Sequence, residues 1–319
     1  FLCTAAVVPS LPPQGQLAYG ALGRGDARIP PGEWYRDYTP GRDAYSHRVL
    51  WYDAGPSVAN AREADVVFFG DSRMLFALPP WVARSFFRSR DLRWFQLGLA
   101  YGERSTFATA LLERHGIAPR LAVVDAGQFF DPGISWLGAT LVREAGSWGE
   151  QRETFETRAG YRFDRWARPI FPHVLPMLFD RGSERGLLDL LRSADDGSWL
   201  VRRYRDESEP LVERAPSSSP LDPRPALAFR EAVERGGGRL VLTDVPGEVA
   251  NRPRAEALAE FLEVPFVAPR VRGLTSGDGV HLDRPSARRF AAALLAGLEA
   301  AEVLPAPCRA ASDDRSCDR

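Results

Sequence analysis

The sequence predicts an α/β fold on a doubly wound parallel sheet, and three observations carry that expectation. Short apolar, β-rich runs recur from residue 61 onward, each closed by Gly, Asp or Pro. Stretches of helical periodicity separate them. The runs are apolar at consecutive rather than alternate positions, as in strands covered on both faces. A chain of 319 residues with 45% apolar and 26% charged side chains can supply the core such a sheet needs.

The elements follow in order. Residues 1–60 form an N-terminal arm that over 9–60 is rich in Pro, Gly, Tyr and Trp, and in which PPGEWYRDYTPGRD reads as an extended segment that packs aromatics on a core. ADVVFFG (64–70) is the first buried strand, and a helix over 79–89 leads to the second, LRWFQLGL (92–99). A helix over 102–115 stops at Gly116 and Pro119, before the third strand LAVVDAG (121–127). Residues 129–222 break the alternation and read as an insertion with helices over 150–168 and 184–204 and a closing polar loop. RLVLTDV (239–245) and VPFVAP (264–269) are the fourth and fifth strands, with a helix over 252–263 between them. The last helix opens near Pro285, a residue suited to a first helical turn. The α/β domain thus spans 61–303, and 304–319 is a polar tail.

Composition narrows the functional classes. A net charge of −1 gives no bulk field to recruit nucleic acid or an anionic membrane. All 41 basic residues are Arg, so no Lys serves as a base or forms a Schiff base. The cysteines are Cys3, Cys308 and Cys317. The last two stand close together in PCRAASDDRSCDR, a tail without His, which favours a local disulfide and an oxidising compartment over a metal site. Two unpaired surface thiols are the plainer alternative. Neither a metal nor another cofactor is expected. FLCTAAVVP is apolar but too short to span a bilayer; it reads either as the remnant of a signal peptide or membrane tether, or as a frayed terminus.

The chemistry concentrates at strand ends. Phe69-Gly70-Asp71-Ser72-Arg73 follows the first buried strand directly and precedes a helix. In an open parallel sheet ligands bind beyond the carboxyl ends of the strands. Ser72 is therefore placed at a site mouth, its N–H at a helix start where an oxyanion is stabilised. A bare turn with Ser as helix cap would read the same way. Met74 replaces the second Gly of a G-x-S-x-G elbow. Asp278-Gly279-Val280-His281 lies between the last strand and the last helix. There Asp278 can accept the Nδ1–H of His281 and leave Nε2 for a serine proton. The other histidines, His47, His115 and His173, read as structural or surface residues. Gly98 ends the second strand with an N–H able to approach a substrate, and Gln128 follows the third with an amide; a turn Gly and a solvated Gln are the plain readings. Arg73 either pairs with Asp71 or another acid, or is a solvated helix-start residue.

Together GDS (70–72), Gly98, the AGQ segment (126–128) and DGVH (278–281), continued by HLDRPSARRFAAALL, resemble the SGNH, or GDSL-type, hydrolase superfamily over 61–128 and 238–303. The resemblance implies a three-layer α/β/α fold with a five-stranded parallel flavodoxin-like sheet. It implies Ser72 as nucleophile, His281 as base and Asp278 as its orienting acid. The oxyanion hole would comprise the Ser72 and Gly98 N–H groups and Gln128, where the family carries Asn. Gly70, Asp71 and Arg73 would support the site. The GDSR variant, the aromatic arm and the long insertion resemble the subset acting on cell-surface polymers, such as alginate O-acetylation and DltD-like proteins. That subset implies a periplasmic or extracellular protein with an N-terminal tether, an acylated carbohydrate or other ester as substrate, and a membrane-bound O-acyltransferase as partner. Trp34, Trp51, Trp136 and Trp148 then serve either to stack on sugars or to pack the core and a lid. A non-catalytic scaffold and an esterase for small molecules or lipids are the competing readings.

Overall fold

The computed structural model describes residues 32–38, 45–99, 103–170, 190–201, 208–211, 222–248 and 250–305. The described part of the arm folds onto the rest: Trp34–Tyr38 forms strand β1, Tyr45–Trp51 helix α1 and Ser57–Glu63 helix α2. Trp34, Tyr35 and Trp51 are buried, so the arm's aromatics enter the core.

The four runs that become strands do so because each finds a hydrophobic layer on both faces. They are β2 (Val66–Phe69), β3 (Trp94–Gln96), β4 (Leu121–Asp125) and β8 (Arg239–Thr243). Val67 and Phe69 of β2, Ala122 and Val124 of β4, and Leu240 and Leu242 of β8 point into one layer. Their alternates Val66, Phe68, Leu121, Val123 and Val241 point into the other. The second layer is completed by α3 (Ser72–Ala77), α4 (Pro80–Arg88) and the closing helix, through Met74, Phe87, Phe290 and Leu294. The first is completed by α2 and by α5 (Ser105–His115), through Ala61, Phe107 and Leu111, and by two later helices. This three-layer arrangement explains why the runs carry no polar alternation.

The sheet itself corrects the expectation of five strands. Among the described residues it has four, in the order β3-β2-β4-β8, all parallel. The segment 264–269 adds one parallel bridge, Leu242 with Phe266, and no ladder. Pro265 and Pro269 bracket that segment, and a proline has no N–H to donate to a neighbouring strand. The flavodoxin-like five-stranded sheet is therefore not what this chain builds.

Strands of the insertion enter two smaller sheets. After α6 (Ala126–Phe129), α7 (Trp136–Glu144) and α8 (Trp148–Ile170), the chain forms β5 (Leu190–Ser193), β6 (Trp199–Val201) and β7 (Glu209–Pro210). The helix expected over 184–204 is thus an antiparallel hairpin where the structure describes it, and β1 joins it in the order β1-β5-β6. Its turn is set by side chains: Ser193 Oγ accepts the N–H groups of Asp195 and Asp196, and Gly197 adopts φ +70°. This sheet closes the exposed edge of β3. The Gln96 N–H donates to the Asp196 carbonyl at 2.8 Å, and buried Arg192 donates to the Gln96 carbonyl at 2.8 Å. β7 pairs with β9 (Thr275–Ser276), which follows α9 (Arg224–Arg235), β8 and α10 (Arg252–Phe261). The chain then enters α11 (Arg284–Ala300), capped by Asp283, whose carboxylate accepts the Ser286 N–H at 2.9 Å.

The expected Cys308–Cys317 disulfide falls outside the described residues. No described residue is a cysteine, because Cys3, Cys308 and Cys317 all lie outside the described residues, as does His173. Among the described residues no helix is long and apolar enough to cross a membrane.

Candidate active site

Two capped helices and one turn build the site. Gly70, at φ +152°, carries the chain out of β2. The Asp71 carboxylate then accepts the Arg73 N–H at 2.8 Å and starts α3 with Ser72 as its first residue. On the other side, the turn between β9 and α11 is organised by Asp278. Its Oδ1 accepts the backbone N–H of Val280 at 2.9 Å and of His281 at 2.8 Å. Its Oδ2 is left for His281 Nδ1, 2.6 Å away. His281 Nε2 lies 2.8 Å from Ser72 Oγ. The structure thus brings Ser72, His281 and Asp278 into one hydrogen-bonded line.

Burial and charge polarise that line. The His281 side chain is 18% exposed and that of Asp278 36%, so the site is open at the carboxylate end. Burial would raise the Asp278 carboxyl, but the hydrogen bond and charge of His281 and the two backbone N–H groups outweigh it and hold it well below the usual carboxylate range. Asp278 is therefore an ionised acceptor for Nδ1–H, which leaves the Nε2 lone pair facing the serine hydroxyl. That geometry suits abstraction of the Ser72 proton as its oxygen attacks.

Three supports were not singled out from sequence. Ser276 Oγ lies 2.7 Å from the His281 carbonyl and 3.3 Å from Asp278 Oδ1, bracing the turn. Its signal was a Ser two residues before the acid in TSGDGVH. Phe76, four residues after Ser72 and hence on the same helical face, sets its ring 4.4 Å from the His281 ring. Trp199 of β6 meets Phe76 edge-on at 6.0 Å, so the insertion reaches the wall of the site. Asp125, the last residue of β4, is the third; an acid closing a fully apolar strand was its signal.

Arg73 is buried and paired, not solvated. Its Nη2 lies 2.9 Å from Asp125 Oδ2, its Nε 3.4 Å from Asp71 Oδ1, and its Nη1 donates to the Val245 carbonyl at 3.1 Å. Burial alone would lower its pKa; the carboxylates of Asp125, Asp71 and Asp244 more than reverse that and keep it charged. Gly127 exists for this group. A Cβ there would sit 1.9 Å from Arg73 Nη2, and the guanidinium is pinned and cannot swing away. Gly127→Ala is expected to destabilise the fold by about 1–3 kcal/mol through overpacking. Thermal melts check this, and an unchanged midpoint would show that Arg73 yields freely.

The expected oxyanion donors are placed unevenly. The Leu97 and Leu99 N–H groups donate to the Phe68 and Gly70 carbonyls at 2.8 and 3.0 Å, so the Gly98 N–H between them points off the edge of the sheet. Gly98 also packs on α3, since a Cβ there would meet Leu75 at 2.6 Å. Gln128 is half-buried in α6, one residue beyond Gly127, and among the described residues its amide makes no hydrogen bond to Ser72. Of the other histidines, His47 is buried 3.4 Å from Glu103 and His115 closes α5. Of the tryptophans, Trp34 and Trp51 are buried, while Trp136 and Trp148 are exposed on α7 and α8. No family model matches the chain, and no curated protein matches it.

Proposed function

We propose that this chain is a serine-dependent acyl-ester hydrolase or O-acyltransferase. One observation carries the reading: Ser72 Oγ, His281 Nε2, His281 Nδ1 and Asp278 Oδ2 form a continuous line at 2.8 and 2.6 Å. Ser72 Oγ attacks the acyl carbonyl carbon while Nε2 takes its proton. The tetrahedral oxyanion collapses, the ester oxygen leaves with the proton from Nε2, and an acyl-serine remains. Water gives hydrolysis, or a second hydroxyl gives transfer, by the same steps in reverse. The oxyanion is assigned to the Ser72 and Gly98 N–H groups and the Gln128 amide.

The acyl-carbohydrate substrate, the place outside the cytoplasm and a membrane-bound O-acyltransferase as partner rest on the resemblance of the GDSR variant (70–73), the aromatic arm and the long insertion to the subset acting on cell-surface polymers. A fluorophosphonate probe tests the chemistry. Covalent labelling of wild type and none of Ser72→Ala is the expected result. Folded wild-type protein that neither labels nor turns over an aryl acetate would leave a binding or scaffold role instead.

A further inference from the structure

We infer that Arg73 is a positioning residue, whose buried guanidinium ties together the strand ends carrying Ser72 and Gln128 and the segment that supports the His281 turn. The inference rests on the proposed role of Ser72. Arg73 follows Ser72 directly, yet its side chain turns inward and is 1% exposed. One edge of the guanidinium meets Asp71, the cap that starts the Ser72 helix. Another meets Asp125, which ends β4 and caps α6, the helix of Gln128. The third donates to Val245, just past β8. Asp125 itself accepts the Val245 N–H at 3.1 Å, so β4 and β8 are joined at this point twice.

From Val245 the connection runs on to the base. The Glu248 N–H donates to the Gly279 carbonyl at 3.1 Å, inside the Asp278–His281 turn. A Cβ on Gly247 would come within 2.8 Å of the Val280 carbonyl, so the two segments lie backbone against backbone. Ser72 and His281 are far apart in the chain, and their alignment depends on how these strand ends are set against one another. A guanidinium spreads its charge over three nitrogens and can face three partners at once, two carboxylates and a carbonyl here; a compact ammonium cannot. Nor does stability account for the cluster, because well-packed apolar residues stabilise such a site as well as buried ions do.

Aryl acetate kinetics on the intact chain test the assignment. Misplacement of about 1 Å costs on the order of 10²-fold in rate. Arg73→Lys is expected to lower kcat by roughly that factor with KM within about threefold. Val233→Ala, a core change in α9 remote from the site, is the control for lost stability and keeps kcat near wild type below its melting temperature. Asp125→Asn keeps the volume of the anchor and loosens the guanidinium; it gives the same split on a smaller scale and serves where Arg73→Lys does not fold. Wild-type kcat in folded Arg73→Lys or Asp125→Asn overturns the inference, as does an equal loss in Val233→Ala. A wild type that neither turns over nor takes the fluorophosphonate sinks the acyl-transfer reading and this one with it; an active wild type with indifferent variants sinks only this one.

Discussion

Replacing His281 by Gln is expected to lower kcat for aryl acetate hydrolysis by roughly 10⁶-fold, with KM changed little. The size follows from what is lost. His281 Nε2, 2.8 Å from Ser72 Oγ, is the proton acceptor that turns a weak alcohol into a nucleophile, and later the donor to the leaving oxygen. Gln fills similar space between Phe76 and Asp278 but offers no base near neutral pH. A residual rate of about 10³–10⁴ over water should survive, because oxyanion donors and substrate binding do not need the base. The pattern across variants is as telling as the magnitude. Ser72→Ala should cost about as much as His281→Gln, and the double variant no more than either, since the two side chains act in one step. Losses that multiplied in the double variant would mean independent roles and would sink the acyl-serine scheme.

How much of this was legible without coordinates differs by element, for physical reasons. Four strands could be read because each carries apolar residues at consecutive rather than alternate positions, and two-sided burial is the simplest use for such a run. VPFVAP is equally apolar, and it fails as a strand because pattern reading weighs side chains while the ladder needs N–H groups that Pro265 and Pro269 lack. The 190–201 hairpin was hidden for the opposite reason. A helix was expected over 184–204, whereas Ser193, Asp196 and Gly197 decide the backbone locally and β1 supplies the partner strand from far away in the chain.

The site divides along the same line. Asp278 and His281 are three residues apart, so one turn sets their geometry and the sequence displays it whole. Ser72 and His281 meet only through the sheet, and nothing local in GDSR reports the 2.8 Å contact. The ambiguity at Arg73 had no sequence solution at all. Whether an Arg at a helix start faces water or the interior depends on which acceptors lie at the ends of the neighbouring strands, here the Asp125 carboxylate and the Val245 carbonyl. Gly127, which reads as a motif letter in AGQ, acquires its reason only once that guanidinium is seen against it.

Asp278→Asn should cost roughly 10⁴-fold in kcat, less than loss of the base but far more than a lost surface hydrogen bond. The asparagine oxygen can still accept the Val280 and His281 backbone N–H groups, so the turn is expected to hold. What changes is the group beside Nδ1. A carboxylate only accepts, and it fixes the proton on Nδ1; an amide can present its NH2 there and favour the tautomer with the proton on Nε2, facing Ser72. The imidazolium formed during attack also loses its counter-charge. Acid melts give an independent check. Because the folded pKa of Asp278 is depressed, its contribution to stability is present above the ordinary carboxylate range and is lost as the pH falls through and below that range. Asp278→Asn removes the titrating group, so its melting temperature should fall less steeply than that of wild type over the same acid window. A variant with wild-type kcat, or with an unchanged acid limb, would show that the 2.6 Å contact to His281 neither orients the base nor holds the carboxylate charged.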